Sequence, residues 1–149
     1  MSVSVLFVCL GNICRSPLAE AAFRREAGQA GFDIVVDSAG TGDWHAGQPP
    51  DRRAQAVARR QGVEIDLYRA RQVDSADFER FTHVIALDEQ NLADLERLRP
   101  QGARAQLSLL LDHVPGREGQ SVADPYYEDE EAFELAWAAV FAALAVIGW

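Results

Sequence analysis

The sequence predicts a three-layer α/β fold, a four-stranded parallel sheet flanked by helices, and three observations carry that prediction. Val3 to Val8 is an apolar, β-branched run without polar alternation, as a strand buried on both faces requires. Extended and helical segments alternate along the chain. The 149 residues, 48% of them hydrophobic, supply one ordinary core, so 1–149 reads as a single domain.

The elements follow in order. The first strand ends at Cys9, and Ser16-Pro17 reads as a helix start, with a hydroxyl at the cap and proline in the first turn. Leu18 to Ala27 continues that helix toward Gly28 and Gly31. Phe32 to Asp37 reads as the second strand. Ser38 to Pro50 is a loop rich in Gly and Pro, too long for a mere connector. Asp51 caps a helix through Arg60 that ends at Gly62. Thr82 to Leu87 reads as the third strand, Asp88 caps a helix to about Arg99, and Ala105 to Leu109 is the fourth strand. A last helix spaces Phe133, Ala136, Trp137, Val140, Phe141, Leu144 and Ile147 at threes and fours, so this stripe is assigned to the core rather than to chemistry. In such a sheet, ligands sit beyond the carboxyl ends of the strands, where the loop after Cys9 begins.

Composition excludes several function classes. With 23 acidic and 14 basic side chains the formal charge is -9, which repels polyanions and argues against nucleic acid as a partner. The only two cysteines, Cys9 and Cys14, make no disulfide framework and fit a reducing, cytoplasmic compartment. Val3 to Leu10 lacks the basic flank and cleavage site of a signal peptide, and the apolar run from Ala132 carries Glu134 and falls short of a bilayer span, so no membrane segment is predicted. His45, His83 and His113 are dispersed, with no metal-ligand spacing, and neither a metal nor another cofactor is predicted.

The chemistry concentrates in Cys9-Leu10-Gly11-Asn12-Ile13-Cys14-Arg15-Ser16. A Cys-x5-Arg spacing alone is weak, but a buried strand before it and a helix start after it make a specific arrangement. Backbone N–H groups of a loop this long can point inward, and the helix N-terminus adds positive potential, which together cradle an anion such as phosphate. The helix start and the Arg15 guanidinium favour a thiolate at Cys9, a nucleophile. Arg15 can hold two phosphoryl oxygens with its fork, which lysine cannot. Gly11 allows a close backbone approach, Asn12 tolerates a left-handed conformation, and the Ser16 hydroxyl can donate to the thiolate as it leaves. Phosphate-ester cleavage also needs an acid for the leaving group. Asp124, followed by Pro125, Tyr126 and Tyr127, is the candidate, expected to keep its proton when facing a thiolate and a phosphate. From these residues alone, a turn-forming Asp-Pro on the surface is an equal reading.

The loop from Cys9 to Ser16 resembles the signature loop of low-molecular-weight protein tyrosine phosphatases. Ser38-Ala39-Gly40-Thr41 with Trp44 resembles their second loop, and Asp124-Pro125-Tyr126-Tyr127 their general-acid loop. Arg69-Ala70-Arg71-Gln72 and Asp88-Glu89-Gln90-Asn91 also fit, so the likeness spans nearly the whole chain. The resemblance implies a phosphate-binding loop at the end of the first strand, with Cys9 as the nucleophile forming a phosphocysteine. It makes Arg15 the phosphoryl-binding group, and Asp124 the acid and then the base for water. Leu10, Gly11, Asn12, Ile13, Cys14 and Ser16 would surround the phosphate, supported by Ser38. Trp44, Tyr126 and Leu10 would wall an aromatic slot favouring phosphotyrosine proteins as substrates. It further implies a reversible Cys9–Cys14 disulfide that protects the nucleophile, and, in bacteria, tyrosine kinases of surface-polysaccharide export as counterparts. Two positions depart from the family. Tyr68 stands where many relatives have a histidine that buttresses the loop asparagine, and Leu87 replaces a common methionine, a volume-conserving change expected to be silent. Asp88 reads as a helix cap.

Two other activities could use the same loop. An arsenate reductase typically needs a cysteine outside the loop, and this chain has none. A phosphocysteine carrier or sensor would have no use for a leaving-group acid, so Asp124 separates it from a hydrolase.

Overall fold

The computed structural model describes residues 3–144. In chain order the elements are β1 (Ser4–Cys9), α1 (Arg15–Gln29), β2 (Val35–Gly40), α2 (Arg52–Arg60), α3 (Asp77–Arg80), β3 (His83–Ala86), α4 (Glu89–Leu98), β4 (Gln106–Leu109), a 3₁₀ turn (Leu110–His113) and α5 (Glu130–Leu144). The four strands form one parallel sheet in the order β2-β1-β3-β4. β1 is central, which explains its unbroken apolar character: Val5 to Val8 are each 0% exposed.

Alternation along β1 divides the core into two layers. Val5, Phe7 and Cys9 face a cluster built with α1, α2 and α5, whereas Leu6 and Val8 face one that includes Phe78 of α3 and Leu95 of α4. Among the described residues no helix is long and apolar enough to cross a membrane. α5 buries Phe133, Ala136, Trp137 and Val140, but Phe141 is turned outward, 38% exposed, and stacks on Trp137 at 6.4 Å. Its core assignment from spacing is therefore corrected. The side chain of Leu144 and the whole of Ile147 lie outside the described residues.

The largest departure from the sequence reading is β2, which runs from Val35 to Gly40 rather than from Phe32 to Asp37. Phe32 lies before the strand and Val35 opens it facing outward, so they are 57% and 65% exposed, while the next residue, Val36, is buried. The shift draws Ser38, Ala39 and Gly40 out of the expected loop and pairs Gly40 with Cys9 across the sheet. The chain passes the same point again after α2, where Gly40 donates to the Arg71 carbonyl (2.8 Å) and accepts from Val73 (2.8 Å).

Asp77 anchors this pass. Its side chain is 0% exposed and accepts from Arg71 Nη1 and Nη2 (both 3.1 Å), Arg80 Nη1 (3.2 Å) and the Asp74 backbone N–H (2.9 Å). Burial alone would raise its pKa, yet the Arg71 and Asp74 hydrogen bonds prevail and hold the carboxyl below its ordinary value. A depressed carboxylate pKa means stability that is present above the unfolded value of about 3.9 and lost as pH falls through the folded one. Asp77→Ala is expected to cost about 2 kcal/mol in urea denaturation near neutral pH. The gap from wild type should shrink as the pH is lowered below about 4.

Candidate active site

A single left-handed residue sets the shape of the loop between β1 and α1: Asn12 has φ 58° and is buried. Its side chain is oriented unambiguously. The Arg71 backbone N–H can only donate, so the Asn12 atom facing it at 3.0 Å is Oδ1, which leaves Nδ2 to donate to Ser16 Oγ (2.8 Å) and Ser38 Oγ (3.0 Å). Gly40 lets the loop pack this closely, since a Cβ there would lie 2.7 Å from the Leu10 carbonyl oxygen. Thr41 and Gly42 N–H groups donate to the Cys9 and Leu10 carbonyls (both 2.9 Å), and Asp51 N–H to that of Ile13 (2.8 Å).

Beneath Asn12 lies a buried carboxylate. Ser38 Oγ donates to Glu20 Oε1 at 2.6 Å, and Glu20 Oε2 accepts from Arg24 Nη2 at 2.6 Å. Burial raises the Glu20 pKa, while the bonds from Ser38 and Arg24 pull the other way. With Ser38 giving its proton to Glu20 and Ser16 accepting from Asn12, the Ser16 proton is left for Cys9 Sγ at 3.0 Å or the Ala39 carbonyl at 3.4 Å, the sulfur being the nearer. The network thus runs from Glu20 through Ser38 and Asn12 to Ser16, whose hydroxyl lies beside the cysteine sulfur.

Ser16 is not the helix cap. The cap position of α1 is Cys14, without a side-chain cap bond, and the helix begins at Arg15. This places the Ser16 hydroxyl within the first turn and free to serve the sulfur. Tyr68 likewise departs from the role of the histidine it replaces: its hydroxyl bonds Arg24, and Asn12 is held by Ser38 and Arg71 instead.

Arg15 is only 2% exposed. Nη1 donates to Asp88 Oδ2 (2.6 Å) and to the Val122 carbonyl (2.9 Å), and Nη2 lies 3.5 Å from Asp124 Oδ2. Nε is buried and has no hydrogen-bond partner. Although burial opposes it, the negative groups at Cys9, Asp88 and Asp124 raise the pKa of Arg15 and keep it charged. Asp88 is more than the helix cap read from the sequence: Oδ1 caps α4 by accepting from Asn91 N–H (2.7 Å), while Oδ2 orients the guanidinium.

These groups open into a cavity of about 330 Å³ lined by Cys9, Leu10, Gly11, Ile13, Cys14, Arg15, Trp44, His45, Asp124, Tyr126 and Tyr127. Asn12 and Ser16 are buried behind the loop. The walls are aromatic. Trp44, 68% exposed, folds over Gly42, where a Cβ would fall 1.7 Å from its ring; His45 and Tyr126 lie 5.9 Å apart; Tyr126 and Tyr127 meet edge to face at 4.8 Å. Cys9 and Cys14 are both free thiols, and burial, with the charges at Cys9, Asp51 and Asp124, pushes the Cys14 pKa far upward. Among the described residues no three His, Cys, Asp or Glu side chains are placed to hold a metal ion.

Sequence reasoning missed Asp88 as an Arg15 partner, and it missed Glu20, His45 and Tyr127. Asp88 had a signal, since it follows the strand beside β1 at the ligand-binding end of the sheet. Glu20 had none, being one polar residue inside a helix.

The family described as low molecular weight phosphotyrosine protein phosphatase matches residues 4–145. A low molecular weight phosphotyrosine protein phosphatase of Schizosaccharomyces pombe is 42% identical over 135 residues, covering 89% of this chain and 86% of its own length. The low molecular weight protein-tyrosine-phosphatase YfkJ of Bacillus subtilis is 45% identical over 127 residues, covering 84% and 81%. Among solved structures, Primo-1 superposes with a TM-score of 0.92 at 38% identity, covering 97% of this chain and 95% of its own.

The hydrogen-bond network separates two residues that sequence position would treat alike. Glu20→Gln should weaken competitive inhibition by inorganic phosphate by up to about tenfold, the worth of one directed hydrogen bond. Tyr68→Phe, which removes only a hydroxyl bonded to Arg24, should change it by less than about twofold.

Proposed function

The chain belongs to the low molecular weight phosphotyrosine protein phosphatase family and is a protein tyrosine phosphatase; on that premise we propose that Cys9 is its nucleophile, Arg15 its phosphoryl-binding group and Asp124 its acid and base. The observation that carries the reading is that Cys9, Arg15 and Asp124 line one cavity, with Arg15 Nη2 3.5 Å from Asp124 Oδ2. Leu10, Gly11, Asn12, Ile13, Cys14 and Ser16 form or back the phosphate cradle, and Trp44 and Tyr126 receive the phenyl ring.

In the first step Cys9 Sγ attacks phosphorus in line, the bond from phosphorus to the phenolic oxygen breaks, and Asp124 gives that oxygen its proton. Arg15, held from behind through Nη1, keeps Nε and Nη2 for the equatorial oxygens, whose charge it stabilises in the transition state. In the second step Asp124 takes a proton from water, the water oxygen bonds phosphorus, and Sγ departs as a thiolate that accepts the Ser16 hydroxyl proton in a hydrogen bond. Ser16 is buried and does not line the cavity, so it serves the leaving sulfur without blocking the attacking one.

The aromatic walls favour phosphotyrosine in proteins over aliphatic esters, and a phenolate leaves more readily than an alkoxide. A tyrosine kinase acting on the same proteins is the reaction that supplies such a substrate. The free thiols suit a cytoplasmic, reducing setting, and a single phosphatase domain is supported by the family match over residues 4–145. Cys14 shares the loop with Cys9 and can trap its oxidised form: Cys14 gives up its proton, its sulfur attacks a Cys9 sulfenic acid, the disulfide forms and the sulfenic oxygen leaves as water, a step that burial of the Cys14 thiol slows.

A turnover assay tests the assignment. Cys9→Ser should show none. Asp124→Ala should lose about 10²- to 10⁴-fold on phosphotyrosine, and less on esters of more acidic phenols. Phosphate binding without turnover in the wild type would instead identify a carrier or sensor.

A further inference from the structure

Asp124 lies on an irregular, exposed segment, its side chain 40% accessible, yet an acid must be placed to within an ångström of its target. We infer that Arg53 is the positioning residue of the general-acid segment, an inference that rests on the assignment of Asp124 as the acid. Arg53 stands in the first turn of α2, and its guanidinium is clamped by Asp51, from Nε to Oδ1 and from Nη2 to Oδ2, both at 3.0 Å. The rest of the fork points at the acid segment: Nη2 donates to the Tyr126 carbonyl and Nη1 to the Glu128 carbonyl, each at 2.8 Å. Its face lies 4.5 Å from the Phe133 ring centroid and 5.9 Å from that of Tyr126.

The clamp is continuous with the phosphate loop, because the Asp51 backbone N–H donates to the Ile13 carbonyl at 2.8 Å. The path therefore runs from the loop at Ile13, through Asp51 and Arg53, to Tyr126. Tyr126 N–H in turn donates to Asp124 Oδ1 at 3.1 Å, leaving Oδ2 on the Arg15 side. The acid segment is pinned on both flanks, by Arg15 at the Val122 carbonyl and by Arg53 at Tyr126 and Glu128. Only an arginine can bond a carboxylate and two carbonyls in one plane while lying over an aromatic ring; a lysine ammonium offers no such fork.

Steady-state kinetics of the full chain test this with Arg53→Met, Arg53→Lys, Asp124→Asn and the Arg53→Met/Asp124→Asn double variant, on phosphotyrosine and p-nitrophenyl phosphate, with inorganic phosphate inhibition as the readout of the cradle. Arg53→Met should lower kcat/KM, which reads only the step that releases the phenol, by about 10²-fold on phosphotyrosine, as expected of a misplaced acid, and p-nitrophenyl phosphate, which needs protonation less, should lose much less. In the Asp124→Asn background the same change should cost nothing more. Phosphate inhibition should stay within about twofold, showing a folded cradle, and Arg53→Lys should fall between wild type and Arg53→Met, carrying the test if the methionine variant does not fold. Equal losses on both substrates, or losses that multiply in the double variant, would make Arg53 a packing residue and overturn the inference. Unchanged turnover by Asp124→Asn alone would overturn the acid assignment itself, a result distinct from either.

Discussion

A guanidinium almost removed from water is the constraint around which the site is arranged. Arg15 cannot shed its charge, so every element that reaches it must bring an acceptor: Asp88 from the end of β3, the Val122 carbonyl from the segment after the 3₁₀ turn, and Asp124 beyond it. Asp88 and Val122 take Nη1, Asp124 lies nearest Nη2, and Nε is left without a hydrogen-bond partner. Each partner reaches the guanidinium from the carboxyl ends of the strands, where the order of the sheet places β1 between β2 and β3. The general rule for open parallel sheets thus acquires a specific cause in this chain.

The second organising group is the Asn12 amide, which joins parts of the chain distant in sequence. It bonds Ser16 on α1, Ser38 on β2 and the Arg71 backbone beyond α2, and Glu20 completes the base of the network. A polar cluster this deep is tolerable because its members are satisfied. The position that departs from the family is accommodated in the same network. Arg24 takes both the Glu20 carboxylate and the Tyr68 hydroxyl, so the phenol is a partner to the arginine rather than a prop for the asparagine.

Much of this architecture is legible in the amino-acid sequence. β1 announces itself through continuous apolarity, α2 through Asp51 and Gly62, and the loop through its bracketing cysteine and arginine. Errors come where tertiary contacts override local pattern. Phe32 looks like strand but lies exposed before it, and Ser38-Ala39-Gly40 looks like loop but pairs with β1, because backbone ladders are indifferent to small residues that a propensity scale rejects. Ser16 looks like a cap because serine before proline usually is one, yet the loop delivers the chain already helical at Arg15. Asp88 serves two partners with its two oxygens, and sequence shows only the nearer.

The dispersal of the Arg15 partners gives the loop around Cys9 a timetable. Cys9 emerges early in synthesis, but Asp88 and Val122 follow it by most of the chain, and the sheet neighbour β3 cannot pair with β1 before His83 to Ala86 exist. Until then nothing holds the guanidinium against the loop. A nascent chain on the ribosome therefore carries the cysteine before it carries the walls that enclose it.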